Sequence, residues 1–195
     1  MAAKRSELLA EHFIRTVGIR AIVVSYSDGN TFRLLRRSSV GLTAKAASMR
    51  RQRGQGRVVL WCRNEKDAER VVAAAVRLLT SLGNVRHENS FSGDIAVARA
   101  ALGEASRAEG VTLTEHETVI RRANEAVASV EQMFARMQES GEMQRINRDY
   151  REGRLRSAEG DLRYVSYNDY VHHLKKVALD NLAHAGSAKQ LKQPD

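Results

Sequence analysis

The chain has 195 residues, of which 43% are hydrophobic and 28% are charged, and it contains one cysteine. This length and hydrophobic content allow one large domain or a small domain with an appendage, and the single cysteine excludes an intrachain disulfide. The N-terminus has no apolar signal region and the chain has no run of about 20 apolar residues, so we expect a bacterial cytoplasmic protein. The formal net charge of +9 favours an anionic partner, of which nucleic acid is the commonest.

The first part of the chain predicts an α+β domain over residues 1–110. A short helix is expected from Ser6 to Gly18. Two β-branched or apolar runs, at 21–24 and 31–35, flank the turn residues Ser27-Asp28-Gly29-Asn30 and predict a β-hairpin. A basic helix is expected at about 43–52.

A third strand and two more helices complete the predicted domain. The apolar run at 57–63 is typical of a buried strand, and the helix that follows is expected to begin at Asn64 or Asp67 and to end near Leu82. The order β-β-α-β-α predicts a small three-stranded sheet with flanking helices. Residues 84–93 are polar and are interpreted as a turn-rich segment, followed by a helix from Asp94 to about Glu109.

Residues 111–186 predict an all-helical region, followed by a disordered tail at 187–195. A capping box at Thr114–Glu117 predicts the start of a helix whose apolar residues follow a heptad spacing: Ile120, Ala123, Val127, Val130, Phe134 and Met137. This seam fits two arrangements, an intramolecular helix hairpin or a homodimer. Two further helices are expected at about 143–158 and 166–185.

Basic residues are concentrated in two segments. The segment from Arg33 to Arg57 contains no Asp or Glu, and its eight cations are Arg33, Arg36, Arg37, Lys45, Arg50, Arg51, Arg53 and Arg57. Such a cluster attracts phosphates. The helix after residue 143 adds Arg145, Arg148, Arg151 and Arg154, with Asn147 and Tyr150 as candidate base or sugar contacts. The alternative for this helix is a solvated surface on which Asp149 and Glu152 pair with the arginines.

The sequence predicts no cofactor and no metal site. The six histidines and the cysteine do not have the spacing of a zinc site, because His172 and His173 are adjacent and point in different directions on a helix. Cys62 lies in an apolar run and is expected to be a buried, inert thiol. Ser38 and Ser39 follow Arg36 and Arg37, but no histidine or carboxylate lies near them in sequence, so nucleophilic catalysis has little support.

Residues 20–93 resemble the GIY-YIG nuclease domain, in the short form found in phage and bacterial proteins. The resemblance is carried by Ala21-Ile22-Val23-Val24, by Leu34-Leu35-Arg36-Arg37, by Trp61, by Asp67-Ala68-Glu69-Arg70-Val71-Val72 and by Glu88-Asn89-Ser90-Phe91. It extends to the C-terminal segments Ile146-Asn147-Arg148-Asp149-Tyr150-Arg151 and Tyr164-Val165-Ser166-Tyr167.

The chain departs from that family where catalysis would need it. The family uses tyrosines on its signature strands, an arginine on its first helix and a metal-binding glutamate on its second. Here Tyr26 lies just beyond the first strand, Lys45-Ala46-Ala47 replaces the arginine region, and Val72 occupies the glutamate position with Glu69 one turn away. The resemblance implies a nuclease-like fold that has lost cleavage and kept a basic surface.

Three functions are consistent with these patterns. The main hypothesis is a non-enzymatic nucleic-acid-binding protein, with DNA as the expected partner and a regulatory or mobile-element role. The first alternative is an active metal-dependent endonuclease with Glu69 as metal ligand, assisted by Tyr26 or Arg37. The second is a protein-interaction module that acts through the helix at 114–139.

Overall fold

The computed structural model describes residues 2–27, 30–37, 56–87, 90–152 and 166–190. These ranges contain six helices and six strands: α1 (Ala2–Val17), β1 (Arg20–Ser27), β2 (Thr31–Arg37), β3 (Gly56–Cys62), α2 (Glu65–Ser81), β4 (Val85–His87), β5 (Ser90–Ser92), α3 (Ile95–Ala108), β6 (Thr114–Glu115), α4 (His116–Glu139), α5 (Glu142–Arg151) and α6 (Tyr167–Gln190). The helix predicted at 43–52 lies outside the described residues.

The chain divides into two compact units. The sheet unit is the continuous segment 18–122, and the helical unit combines residues 1–17 with residues 123–195. Helix α6 runs to Gln190 and includes Gly186, so the predicted end of this helix at about residue 185 is wrong. A single glycine lowers helix stability without ending a helix.

The sheet has six strands in the order β4-β5-β2-β1-β3-β6, and all neighbouring strands in the described ranges are antiparallel. The predicted three-stranded sheet, which the nuclease resemblance also implies, is therefore wrong. The additional strands β4, β5 and β6 are only two or three residues long. Strands this short have no visible alternation, so the polar segment at 84–93 was interpreted as a turn.

The start of α4 also differs from the prediction. Thr114 does not cap the helix; it pairs with Trp61 at the sheet edge, and α4 begins at His116. Thr114 suits a strand as well as a helix cap, because threonine is also favoured in strands. The tertiary contact with β3 decides between the two.

The sheet unit has its main core between one face of the sheet and helices α2 and α3. Strands β1 and β3 contribute Ile22, Val24, Leu60 and Cys62 to this core. The helices contribute mostly small side chains at helical spacing, including Ala68, Val71, Ala75, Ala98, Ala101 and Ala105. Phe32 and Phe91 stack with ring centroids 5.5 Å apart, which anchors the short strand β5 to β2.

Two side chains set the starts of the core helices. The Asn64 side chain accepts a hydrogen bond from the Asp67 backbone N–H at 2.9 Å, which identifies Asn64 as the N-cap of α2. The Asp94 carboxylate accepts from Ala96 and Val97 in the same way and caps α3. Each cap satisfies backbone donors that have no partner within the helix.

The helical unit is held by polar contacts between its helices as well as by apolar packing. Asp180 on α6 accepts a hydrogen bond from the Thr16 hydroxyl at 2.7 Å and lies 2.7 Å from His12 Nε2, which joins α6 to α1. Lys175 on α6 pairs with Glu131 on α4, and its ammonium lies 5.4 Å from the centre of the Phe134 ring. The buried apolar residues of this unit are Leu9, Ala10, Ile14, Ala123, Val127, Val130, Phe134, Leu179 and Ala183.

The heptad seam on α4 is largely buried within the single chain. Four of its members are buried, Ala123, Val127, Val130 and Phe134, and the other two are half-buried. This packing favours the intramolecular alternative, because these side chains offer little surface to a second copy. The homodimer stays a prediction.

Candidate nucleic-acid interface

The register of β2 divides its three arginines between the two faces of the sheet. Arg33 pairs with Ser25 and Arg37 with Ala21, whereas Arg36 pairs with the core residue Ile22. Because side chains alternate along a strand, Arg33 and Arg37 share one face and Arg36 lies on the face that carries α2 and α3.

Arg36 is neutralised by two glutamates from α2. Its guanidinium pairs with Glu65, Nη1 to Oε1 at 3.3 Å, and with Glu69. These glutamates are four residues apart on α2, so they lie on the same side of the helix. Glu65 also accepts a hydrogen bond from Arg20 Nε at 2.6 Å. The predicted acid-free cluster therefore has acidic neighbours in space that are about 30 residues away in sequence.

Arg33 and Arg37 differ from Arg36 in having no acidic partner among the described residues. Both side chains are exposed, and neither forms an ion pair within the described ranges. The register also places the Cα atoms of Arg33 and Arg57 on either side of Ser25 in β1. Two inter-strand spacings separate these Cα atoms by about 10 Å. Lys45, Arg50, Arg51 and Arg53 lie outside the described residues.

The sheet unit carries almost all of the net charge. Residues 18–122 contain 18 lysines and arginines and 10 aspartates and glutamates, a net charge of +8 out of the +9 of the whole chain. Several of its acidic groups are already paired with other cations: Asp67 with Arg63 and Arg70, Glu109 with Arg70 and Arg77, and Glu115 with Arg99. These acids are thus engaged away from Arg33 and Arg37.

The arginines of α5 form an exposed surface with no excess charge. Arg145, Arg148 and Arg151 are all exposed, and Arg145 lies 3.9 Å from Glu142. The segment 142–152 contains three arginines and three acidic residues, so its net charge is zero. This composition favours the solvated-surface alternative. Arg154 lies outside the described residues.

The two candidate base contacts on α5 are half-buried. The Tyr150 ring stacks on Tyr170 and tilts against Tyr167, with centroids 5.8 Å apart in both pairs. Tyr167 in turn donates its hydroxyl hydrogen to the Met143 carbonyl at 3.0 Å. Asn147 is half-buried as well. Part of the Tyr150 ring therefore packs α5 against α6, and that part cannot also stack on a base.

The described part of the chain does not assemble the metal site that a nuclease would use. Glu69 is exposed and is held by Arg36. Within the described ranges, no three His, Cys, Asp or Glu side chains come close enough to hold a metal ion. Cys62 is buried, and burial, followed by the nearby charge of Asp67, raises the pKa of its thiol to about 11.

His116 has a structural contact that the sequence did not indicate. Its Nδ1 accepts a hydrogen bond from the buried Trp61 indole N–H at 3.1 Å, and the two rings stack 6.0 Å apart. Burial lowers the pKa of His116, an effect that the neighbouring charge of Glu117 opposes. The sequence signal for this contact was only the position of a histidine at a helix start.

Most of the net positive charge of the chain thus lies in the sheet unit. No helix in the described ranges is both long enough and apolar enough to cross a membrane. Comparisons with protein-family models, with curated proteins and with solved structures found no match to this chain.

Proposed function

We propose that the protein is a non-enzymatic, cytoplasmic nucleic-acid-binding protein and that the sheet unit makes the principal contacts, with DNA as the expected partner. The observation that carries the proposal is the distribution of charge. The sheet unit holds +8 of the +9 net charge, and five of its ten acidic residues pair with cations other than Arg33 and Arg37, namely Glu65, Asp67, Glu69, Glu109 and Glu115. When arginines neutralise phosphates, the nucleic acid releases the counterions condensed on it, which gives affinity that does not depend on base sequence.

The pairing pattern predicts which arginines contribute. In the described part of the chain, Arg33 and Arg37 have no ion pair to break before they contact a phosphate, whereas Arg36 would first have to leave Glu65 and Glu69. Each phosphate contact contributes about 0.9 to the slope of log affinity against log salt concentration. We therefore expect the double variant Arg33→Gln/Arg37→Gln to reduce this slope by about 1.8, and Arg36→Gln to leave it close to wild type.

The test is fluorescence anisotropy of the full chain with labelled duplex DNA, single-stranded DNA and RNA between roughly 50 and 200 mM salt. Arg36→Gln is the matched control, because it makes the same substitution on the same strand. Absence of binding at 50 mM salt, or an affinity that does not change with salt, would refute the proposal and direct attention to an acidic protein partner.

A parallel series in Mg²⁺ separates binding from cleavage. We expect intact nucleic acid after incubation with the protein and Mg²⁺. Cleavage by the wild type that disappears in Glu69→Ala would refute the non-enzymatic function and support the metal-dependent nuclease.

A further inference from the structure

A groove of about 460 Å³ lies on the sheet unit, beside the edge strand β6. Leu60 and Val111, both buried, contribute its apolar lining, and α3 forms one wall. Its volume falls within the range of roughly 300–1,000 Å³ that is usual for small-molecule sites. We infer that this groove binds a small organic anion with an apolar body, of the class of medium-chain or aromatic carboxylates.

The wall of the groove contains a glycine that the fold does not require. Gly103 lies in the interior of α3 and lines the groove. Glycine destabilises a helix interior relative to alanine, so a packing reason is expected where it occurs. Here a Cβ atom at position 103 would meet no atom within 4 Å, apart from its chain neighbours and the adjacent backbone of its own helix. The missing side chain keeps open space in the groove, which a ligand lying against the α3 backbone would use.

The polar groups around the groove favour an anion. Arg99 is satisfied by Glu115, with Nη1 to Oε1 at 2.8 Å, so this pair adds no net charge. Arg107 donates from Nε to the Gly103 carbonyl at 3.3 Å, which fixes its guanidinium beside the glycine. Arg107 is exposed and has no acidic partner within the described ranges. Its remaining N–H donors suit a carboxylate, while the apolar body of the ligand would contact Leu60 and Val111.

This inference does not depend on nucleic-acid binding, because it rests on a different set of residues and a different ligand. The reporter is 1-anilinonaphthalene-8-sulfonate, an organic anion with an apolar body whose fluorescence rises in apolar sites. We expect one bound reporter per chain, displaced by octanoate. We expect 1-octanol, which lacks the charge, and inorganic phosphate, which lacks the apolar body, to compete at least about tenfold less well than octanoate, because each lacks one of the two interactions.

Two substitutions test the glycine. Gly103→Met should fill the groove and abolish displaceable binding, whereas Ala100→Met, at an exposed position on the same helix, should not. Gly103→Ala should raise Tm by about 2–4 °C, because it removes the helix penalty without a clash. A fall in Tm would mean that the fold itself needs the glycine and would overturn the inference.

One substitution tests the charge. Arg107→Gln should weaken octanoate binding about tenfold, as expected for the loss of one charge-assisted hydrogen bond. Arg121→Gln, an exposed arginine outside the groove, is the control and should have no effect. Failure of octanoate to displace the reporter, or equal binding by Gly103→Met and wild type, would refute the site even if nucleic-acid binding is confirmed.

Discussion

The contact between Trp61 and His116 predicts that the stability of the sheet unit depends on pH. The imidazole can accept from the indole only while Nδ1 carries no proton, and burial lowers the pKa of His116 below its ordinary value of 6.5. As the pH falls through 6.5, the unfolded chain therefore takes up a proton that the folded chain does not. The contribution of His116 to the free energy of unfolding is therefore complete above pH 6.5. It decreases as the pH falls from 6.5 toward the lower pKa of the folded state, by at most about 1.4 kcal/mol per pH unit.

Replacing the histidine separates the hydrogen bond from the titration. In His116→Leu the indole N–H of Trp61, a residue 1% exposed, loses its acceptor. A buried unsatisfied donor costs about 1–3 kcal/mol, so we expect this loss in the free energy of unfolding at pH 8. Between pH 8 and pH 5 the variant should lose less stability than wild type, because its position 116 no longer titrates.

Urea unfolding between pH 5 and pH 8, followed by tryptophan fluorescence, measures both effects. Trp61 is the only tryptophan, so the signal reports on the sheet unit. His87→Gln, which changes an exposed histidine of the same unit, is the control and should keep the wild-type pH dependence. An equal pH dependence in His116→Leu and wild type would show that the reasoning about this contact is incorrect.

Two further predictions concern packing. Val130 is 2% exposed in the single chain, so we expect Val130→Ala to lower the free energy of unfolding by about 1–3 kcal/mol at every protein concentration. Urea unfolding combined with sedimentation measures this cost. A cost that appears only at concentrations where the chain self-associates would instead support the homodimer. Gly93 has φ of +125° and a Cβ there would lie 3.0 Å from Val97 Cβ, whereas Gly110 has φ of +62° and open space around it. In thermal unfolding we expect Gly110→Ala to cost about 1–2 kcal/mol and Gly93→Ala to cost more. Equal costs would mean that the contact with Val97 relaxes freely.

Local patterns in the sequence were enough to find the longer elements. The hairpin of β1 and β2 followed from two apolar runs around a turn, and it is confirmed by the observed pairing. Helix α2 followed from its apolar spacing and from a cap at Asn64 or Asp67, of which the structure identifies Asn64. Strands β4, β5 and β6 were missed because they are held by tertiary contacts, such as the stacking of Phe91 on Phe32, that no local pattern encodes.

The candidate site was harder to predict because charge pairing depends on the fold. The eight cations between Arg33 and Arg57 are equivalent in sequence, but the alternation of β2 directs Arg36 toward Glu65 and Glu69 and leaves Arg33 and Arg37 on the other face. The sequence likewise predicts Tyr150 as a candidate nucleic-acid contact, and the structure gives it ring contacts with Tyr167 and Tyr170. The contacts of Arg36 and of Tyr150 therefore could not be found from the positions of their partners in the sequence.

The division of the chain has a consequence for its synthesis on the ribosome. The sheet unit is one uninterrupted segment, so all of its strands have been made once residue 122 has been added. Helix α1 is made before the sheet unit, yet its partner Asp180 lies 168 residues after His12. We therefore expect the sheet unit to fold during translation, as domains generally do, and α1 to remain without this partner until Asp180 has been made. During that interval the apolar side chains of α1, among them Leu9 and Ile14, are a natural substrate for chaperones.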